Sequence, residues 1–215
     1  MAGQTPWQTT GPFFHFGLAW KGGADLISDS ALGCRPDLCA AGHDVLIENK
    51  NTTRYLAKGE RIELIGNLFD NTDTPLTDAL IEIWQANAVG RYASPNDGRS
   101  DDAIDPNFIG FGRGSTDKHG GYHFRTIRPG RVPGPGNSLQ APHIALGLIG
   151  PGILKRLTTR VYFGDAAENA EDPILALVPQ SRRATLIAQR EVSAPNTYRF
   201  DLRLGGPRET VFFDF

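Results

Sequence analysis

The segment 120–148 constrains the fold of this chain more than any other stretch of its sequence. Aromatic or hydroxyl side chains at every second position of 122–127 alternate with charged or aliphatic ones. A period of two is typical of a β-strand, whose successive side chains point to opposite faces. Pro129-Gly130 ends this strand, and the run 133–136 (PGPG) is predicted to stay outside any ladder of backbone hydrogen bonds. The segment therefore predicts two strands joined by an irregular loop.

The second strand of this segment is predicted to start near Ala141. His143 and Ala145 lie two residues apart on it, so their side chains share one face of the strand. A metal enzyme built on such a strand would need a ligand at both positions. Only one of the two can coordinate a metal, and a lone histidine in an apolar strand is more often a core residue than a ligand.

Similar patterns recur along the chain and predict an all-β fold. Alternating or β-branched runs indicate further strands at 61–69, 79–84, 158–163 and 198–204, with 210–213 closing the chain. Some seven short strands separated by turn residues favour a two-sheet antiparallel β-sandwich with long loops. No repeat or linker divides the sequence, so we expect one domain spanning 1–215.

One or two short helices are predicted beside the strands. Asp172-Pro173 has the order of a helix start, an N-cap followed by proline at the first helical position, and its turn should run to about Val178. A second helix is predicted over 181–190. The polar segment 21–58 is predicted to form long loops, with one short helix near 25–32.

Composition excludes several classes of function. The net charge is −2, which gives no electrostatic reason to expect a nucleic acid or an anionic membrane as partner. No apolar run approaches the roughly 18 residues of a membrane span. The N-terminus lacks the pattern of a signal peptide, so we expect a cytoplasmic protein. Cys34 and Cys39 are too far apart for a CxxC motif, and we expect free thiols.

The segment 4–18 is unusually aromatic for a terminus, because it contains Trp7 and three phenylalanines. Such a segment must be covered, either by its own domain or by a partner chain, and the sequence leaves both possibilities open. Gly11-Pro12 within it forces an irregular path that could line a pocket. We therefore predict 1–20 to be an arm at a subunit interface or on the core.

Several segments together carry a family resemblance. They read TPWQTTGPFFHFGL, LIEIWQANAVGRY, DPNFIGFGR, GYHFRTIRPG, APHIAL, TRVYF and YRFDLRL, followed by the ending GPRETVFFDF. With these motifs the chain resembles the intradiol ring-cleavage dioxygenases from position 5 to 215, least clearly over 21–58. The ending ETVFFDF resembles that of the α-type chain in members built from two paralogous chains.

The resemblance implies a non-haem Fe(III) enzyme, whose catalytic chain holds iron with two tyrosinates and two histidines. Phenolate oxygens are hard anionic donors that suit Fe(III), and imidazole also suits iron. Dioxygen then attacks the iron-bound catechol, and the ring opens between its two hydroxylated carbons. The implied reaction converts protocatechuate (3,4-dihydroxybenzoate) and O₂ to 3-carboxy-cis,cis-muconate.

This chain departs from the family's ligand set at three of four positions. The HxH strand reads His143-Ile144-Ala145, Val132 stands where one tyrosine is expected, and 99–104 lacks the other tyrosine. The resemblance therefore implies that this chain contributes no catalytic or metal-binding residue. The Fe(III) is expected in a paralogous β subunit, the implied partner, in a hetero-oligomer.

The resemblance also implies that this chain shapes the substrate pocket at the interface with the β subunit. The matching residues are Thr9, Gly11, Pro12, Phe13 and Arg131. Arg131 would steer the substrate carboxylate, and a solvated loop charge is an equally good interpretation of it. Two other functions stay open: a dioxygenase subunit for a differently substituted catechol, and a non-catalytic β-sandwich binding module.

Overall fold

The computed structural model describes residues 11, 23–28, 30, 32 and 53–214. Strands dominate this part of the chain, which confirms the predicted all-β class. Eleven strands are present in it: β1 (Arg61–Phe69), β2 (Leu80–Trp84), β3 (Phe111–Ser115), β4 (Gly121–Ile127), β5 (Val132–Pro133), β6 (Leu139–Gln140), β7 (His143–Ile149), β8 (Leu157–Phe163), β9 (Ile187–Glu191), β10 (Ala194–Arg199) and β11 (Leu202–Arg203).

Helical structure in the described residues is short. The α-helix α1 spans Gln180–Arg183. The remaining helical turns are of the 3₁₀ type, at Arg54–Leu56, Asp101–Ala103, Ala167–Glu171, Leu175–Leu177 and Ala184–Leu186. No helix within the described ranges is long and apolar enough to cross a membrane.

Nine strands form one curled sheet, and β5 and β6 form a separate hairpin. Strand β4 pairs with one edge of β1, whose other edge pairs with β10 and β11; the order then continues through β9, β8, β7 and β2 to β3. The segment 23–26 lies between the two end strands. The Arg113 amide of β3 donates to the Gly23 carbonyl at 2.8 Å, and the Arg125 amide of β4 donates to the Ala24 carbonyl at 2.9 Å. This segment closes the sheet around the core.

The prediction of a purely antiparallel sandwich is wrong in one respect, because the sheet is mixed. Strand β1 runs parallel to β10 and β11, and β8 runs parallel to β9. A parallel pair needs a long crossover connection. The segment 164–186, which carries α1 and three 3₁₀ turns, supplies it between β8 and β9. More than half of the chain separates β1 from β10, so no hairpin dictates their relative direction.

The helix predictions are partly confirmed. The Asp172 carboxylate accepts hydrogen bonds from the Ile174 and Leu175 amides at 2.9 and 2.7 Å, and a 3₁₀ turn follows. The predicted helix 181–190 stops early, because 187–191 form β9. There the chain pairs with β8 and buries Ala188 completely, which outweighs local helix propensity. The described residues of 25–32 form turns and bends instead of a helix.

The observed strands differ from the predicted ones at three further places. The predicted strand 198–204 divides at Phe200–Asp201 into β10 and β11. Strand β3 follows a turn and was not predicted as a strand. Pro133 does take part in a two-residue ladder, contrary to expectation. A proline at such an edge lacks only the donor, and its carbonyl accepts from Gln140 Nε2 at 2.7 Å.

The core lies between the two halves of the curled sheet. The inward positions of β1 follow the predicted period of two, with Ile62, Leu64 and Leu68 at most 1% exposed. They pack with buried residues of β2, β4, β7 and β8 in one apolar cluster. A smaller cluster under the crossover includes Ala141 and Tyr162. Its position next to β7 fixes the floor of the cavity described below.

Candidate functional site

A cavity of about 590 Å³ lies where β7, β8 and the end of β2 meet the loop 85–99 and the β5–β6 hairpin. Its lining residues are Trp84, Tyr92, Ser94, Asn96, Asp97, Gly98, Arg99, Val132, Pro133, Gln140, His143 and Arg160. The structure thus brings together His143, Val132 and Arg99, which come from the three segments expected to carry iron ligands. Ala145 pairs across the ladder with Trp84 and Arg160, two lining residues.

The loop 85–99 is held by buried hydrogen bonds. The Gln85 side chain donates to the Ile127 carbonyl and accepts from the Thr126 hydroxyl, both at 2.8 Å. Asn87 accepts from the Arg91 amide at 2.9 Å and donates to the Ala103 carbonyl at 2.7 Å. These bonds explain why the WQAN stretch follows a strand without continuing it, because its amides replace ladder partners.

Asp97 organises the far end of this loop. Its carboxylate accepts from the Tyr92 amide at 2.9 Å and from Arg99 Nε at 2.9 Å, and the buried Arg91 lies 3.3 Å away. The hydrogen bonds from Arg99 hold the pKa of Asp97 well below its usual value. The carboxylate is therefore ionised, and it neutralises the Arg99 charge at the cavity wall.

His143 is 5% exposed at the start of β7. Its Nδ1–H donates to the Ala141 carbonyl at 2.8 Å, which leaves Nε2 as the unprotonated nitrogen of a neutral ring. Burial, together with the positive charge of Arg160, lowers the pKa of His143 to about 4. At neutral pH the imidazole is uncharged and can only accept a hydrogen bond through Nε2.

The floor of the cavity rests on the buried carboxylate of Asp172. It accepts from the Ala141 amide at 2.7 Å and from the Tyr162 hydroxyl at 3.1 Å, in addition to the two amides of its own turn. Tyr162 is fully buried and pairs with His143 across the β7–β8 ladder. Burial raises the pKa of Tyr162, so its phenol stays protonated. This network fixes the rotamers of the groups beneath the cavity.

Arg160 of β8 is the cation that sequence reasoning missed. It donates through Nη1 to Gln140 Oε1, and it also hydrogen-bonds the Tyr162 hydroxyl. No carboxylate within the described ranges forms an ion pair with it. The signal in the sequence was an arginine inside the apolar strand TRVYF. Its importance depends on the cavity, which only the packing of β7, β8 and the loop creates.

Two aromatic rings complete the wall. Trp84 and Tyr92 stack with ring centroids 5.8 Å apart and an interplanar angle of 11°. Burial raises the pKa of Tyr92, so it presents a neutral hydroxyl. The cavity therefore combines apolar ring surface, a guanidinium without an ion-pair partner among the described residues, and a neutral imidazole.

The residues of this cavity do not fit an iron centre. The Val132 and Ala145 side chains offer no donor atom, and among the described residues that line the cavity His143 is the only histidine. Among the described residues, no group of three or more His, Cys, Asp or Glu side chains is close enough to hold a metal ion. Asp97 is already bound to Arg99, and the nearby Arg160 would repel a cation. We therefore derive no chemical step through a metal in this chain.

The predicted substrate-contacting residues lie elsewhere. Thr9, Pro12 and Phe13 lie outside the described residues. Gly11 is exposed, and no described residue lies within 4 Å of the position that a Cβ would take there. Arg131 does not line the cavity; it donates to the Leu139 carbonyl at 3.2 Å and lies 3.5 Å from Glu171. The roles assigned to these five residues remain predictions.

Comparison with known proteins defines the class to which this fold and site belong. The sequence profile of a family described as "Dioxygenase" matches residues 40–206, most of the chain. The solved 3-chlorocatechol 1,2-dioxygenase of Rhodococcus opacus 1CP superimposes with a TM-score of 0.54 at 21% identity, over 68% of this chain and 60% of that one. This likeness confirms the sandwich-like fold expected from the sequence.

Two curated relatives define the position of this chain within the family. The protocatechuate 3,4-dioxygenase alpha chain of Burkholderia cepacia is 40% identical over 217 residues, covering 98% of this chain and 97% of that one. The beta chain from the same organism is 38% identical over 155 residues, covering 69% and 66%. The chain therefore belongs to the intradiol dioxygenases, a family of oxidoreductases. Its full-length similarity is to their alpha chains, as the resemblance implied.

Proposed function

We propose that this chain is the metal-free alpha subunit of a hetero-oligomeric protocatechuate 3,4-dioxygenase. In this proposal a paralogous beta subunit carries Fe(III) and cleaves protocatechuate with O₂ to 3-carboxy-cis,cis-muconate. The observation that carries the proposal is the cavity around His143, where the ligand positions contain Val132 and Ala145. A chain with this donor set needs a partner to take part in iron chemistry.

The proposal assigns this chain a role in shaping the partner's substrate pocket. Thr9, Gly11, Pro12 and Phe13 of the N-terminal arm would line it, and Arg131 would face the substrate carboxylate. Arg131 is 30% exposed and its present partner Glu171 is 74% exposed, so a substrate carboxylate could replace this weak surface pair.

The test measures iron content and oxygen uptake with protocatechuate. The chain is prepared alone and co-expressed with the beta-type chain of its source. We expect no iron in the lone chain, and iron with protocatechuate-dependent oxygen uptake in the complex. Stoichiometric iron in the lone chain would contradict the assignment of the missing ligands. Iron in the complex with uptake on another catechol only would favour the differently substituted substrate.

Variants of this chain then test its contribution to the pocket. In the complex, Arg131→Gln should raise the KM for protocatechuate about tenfold while catechol, which lacks the carboxylate, is unaffected. Arg183→Gln is the matched control, since this arginine donates to the Val178 and Ala176 carbonyls. An equal effect of Arg131→Gln on both substrates would exclude a carboxylate contact.

A further inference from the structure

The cavity of this chain contains one guanidinium, that of Arg160, which forms no ion pair with a carboxylate among the described residues. Arg99 and Asp97 form a paired cation and anion at its wall. Among the described residues, the hydrogen-bond partners of the Arg160 side chain are the neutral Gln140 and Tyr162 side chains. A half-buried guanidinium with neutral partners favours an anion, because its field is screened less than that of a surface charge. The neighbouring His143 offers no competing negative charge.

The rest of the cavity indicates what kind of anion fits. Trp84 and Tyr92 supply aromatic surface, and Val132 with Pro133 supplies aliphatic surface. The volume of about 590 Å³ lies within the range of small-molecule sites. A single guanidinium suits a carboxylate, which it can bind with two parallel hydrogen bonds. A phosphate group would leave more of its charge unpaired here.

We propose that this cavity is a metal-free binding site for a small aromatic carboxylate. The carboxylate binds the Arg160 guanidinium, and the ring lies against the Trp84 and Tyr92 side chains. Gln140 Nε2 donates to the Pro133 carbonyl and its Oε1 accepts from Arg160, so both residues are pre-positioned by the β5–β6 hairpin. The site lies in this chain and goes beyond the proposed role in a partner's pocket.

The ligand class follows from exclusion of the alternatives. A cationic amine would be repelled by the positive charge of Arg160. A neutral aromatic would fill the apolar wall but leave the guanidinium without an anion. An aliphatic carboxylate would satisfy Arg160 but lose the ring–ring contact with Trp84 and Tyr92.

The experiment counts carboxylate sites in the complete co-purified complex by calorimetric titration with benzoate. Benzamide, which has the same shape without the charge, and cyclohexanecarboxylate, which is not planar, are the comparison ligands. We expect one benzoate site per copy of this chain that weakens at least about tenfold in Arg160→Gln. Benzamide should bind this site at least about tenfold more weakly than benzoate.

Arg199→Gln is the matched control, because Arg199 is a surface arginine on β10 that pairs with Glu191. It should change the benzoate affinity less than twofold. Equal benzoate binding by the wild type and Arg160→Gln overturns the proposal, as does equal binding of benzoate and benzamide. If Arg160→Gln does not fold, the number of sites on the wild type still decides the outcome: the proposal requires a benzoate site on this chain in addition to the partner's pocket, and a single benzoate site per pair of chains overturns it.

The benzoate titration is independent of the test of the proposed function. Iron content and oxygen uptake report on the partner's centre, whereas the Arg160-dependent site is counted per copy of this chain. Loss of that site with oxygen uptake retained supports the carboxylate site. A complex without iron and uptake would contradict the proposed function, and its benzoate titration would still test this site.

Discussion

At the scale of single residues, the cavity shows how a few side chains change the chemistry of a site while its shape persists. Valine at 132 and alanine at 145 have no lone pairs to offer a metal. His143 keeps its place in the strand, but burial and Arg160 hold it in the neutral form. Arg160 adds a positive charge to the cavity wall, which disfavours a cation there.

The pKa of His143 predicts a pH-dependent stability. The folded state lowers this pKa from 6.5 to about 4. Between these values the unfolded chain binds a proton that the folded chain does not, so stability falls as the pH drops from 6.5 to 4. The full loss in free energy of unfolding over this interval is about 3 kcal/mol. Arg160, Tyr162 and Asp172 are the charged or titratable groups around this ring.

Urea unfolding between pH 4 and pH 7 checks this prediction. We expect the wild type to lose more stability than His143→Gln over this interval, because glutamine removes the titration and keeps a hydrogen-bonding side chain. Above pH 7 the difference between the two proteins should stay constant. Parallel stability curves across the whole interval would show that the pKa of His143 is the same in the folded and unfolded chains, which would contradict the prediction.

At the scale of elements, the cavity depends on the contact between the loop 85–99 and the segment that leads into β5. Gly90 has a φ of +84°, and a Cβ there would lie 1.8 Å from the Arg131 carbonyl oxygen. The Gly130 amide donates to the Asn87 carbonyl at 2.9 Å. Only glycine permits this approach, since any side chain would separate the loop from the hairpin.

Gly90→Ala is predicted to destabilise the protein more than an ordinary left-handed glycine substitution. Gly136→Ala is the matched control, because Gly136 also has a positive φ of +62° but no described atom within 4 Å of a Cβ. We expect the control to lose about 1–2 kcal/mol in free energy of unfolding. Gly90→Ala should lose at least about 2 kcal/mol more than the control. Chemical denaturation of both variants measures the difference, and equal losses would contradict the close approach.

The strands also show which structural features a local sequence pattern can predict and which it cannot. Strand β1 follows its predicted bounds because every second residue is apolar and the turn after it is unambiguous. The helix 181–190 was overpredicted because a local pattern cannot reveal that 187–191 pairs with β8. The parallel direction of β10 beside β1 has the same origin, since it depends on partners far apart in the sequence.

At the scale of the whole molecule, exposed apolar side chains favour association with another chain. Large apolar residues that are more than half exposed are Tyr55, Leu56, Val89, Leu154, Leu177 and Val192. Single exposed apolar residues are common on soluble proteins. Together with the aromatic arm at 4–18, they support the expected hetero-oligomer.

We predict that the chain expressed alone self-associates or is poorly soluble, because surface intended for a partner remains exposed. Co-expression with the beta-type chain should give a defined complex of both. Sedimentation velocity of each preparation measures the difference. A stable, soluble monomer of this chain alone would count against the interface assignment.

The sequence by itself determined strands such as β1, β2, β4 and β8, the all-β class and the family, because each depends on local pattern or on identity at aligned positions. Only the tertiary structure decided that Val132, His143 and Arg99 line one cavity, and that Arg160 and two aromatic rings share it. It also decided the mixed direction of the sheet. These features depend on residues distant in the chain, and their free energies arise when the strands pack together.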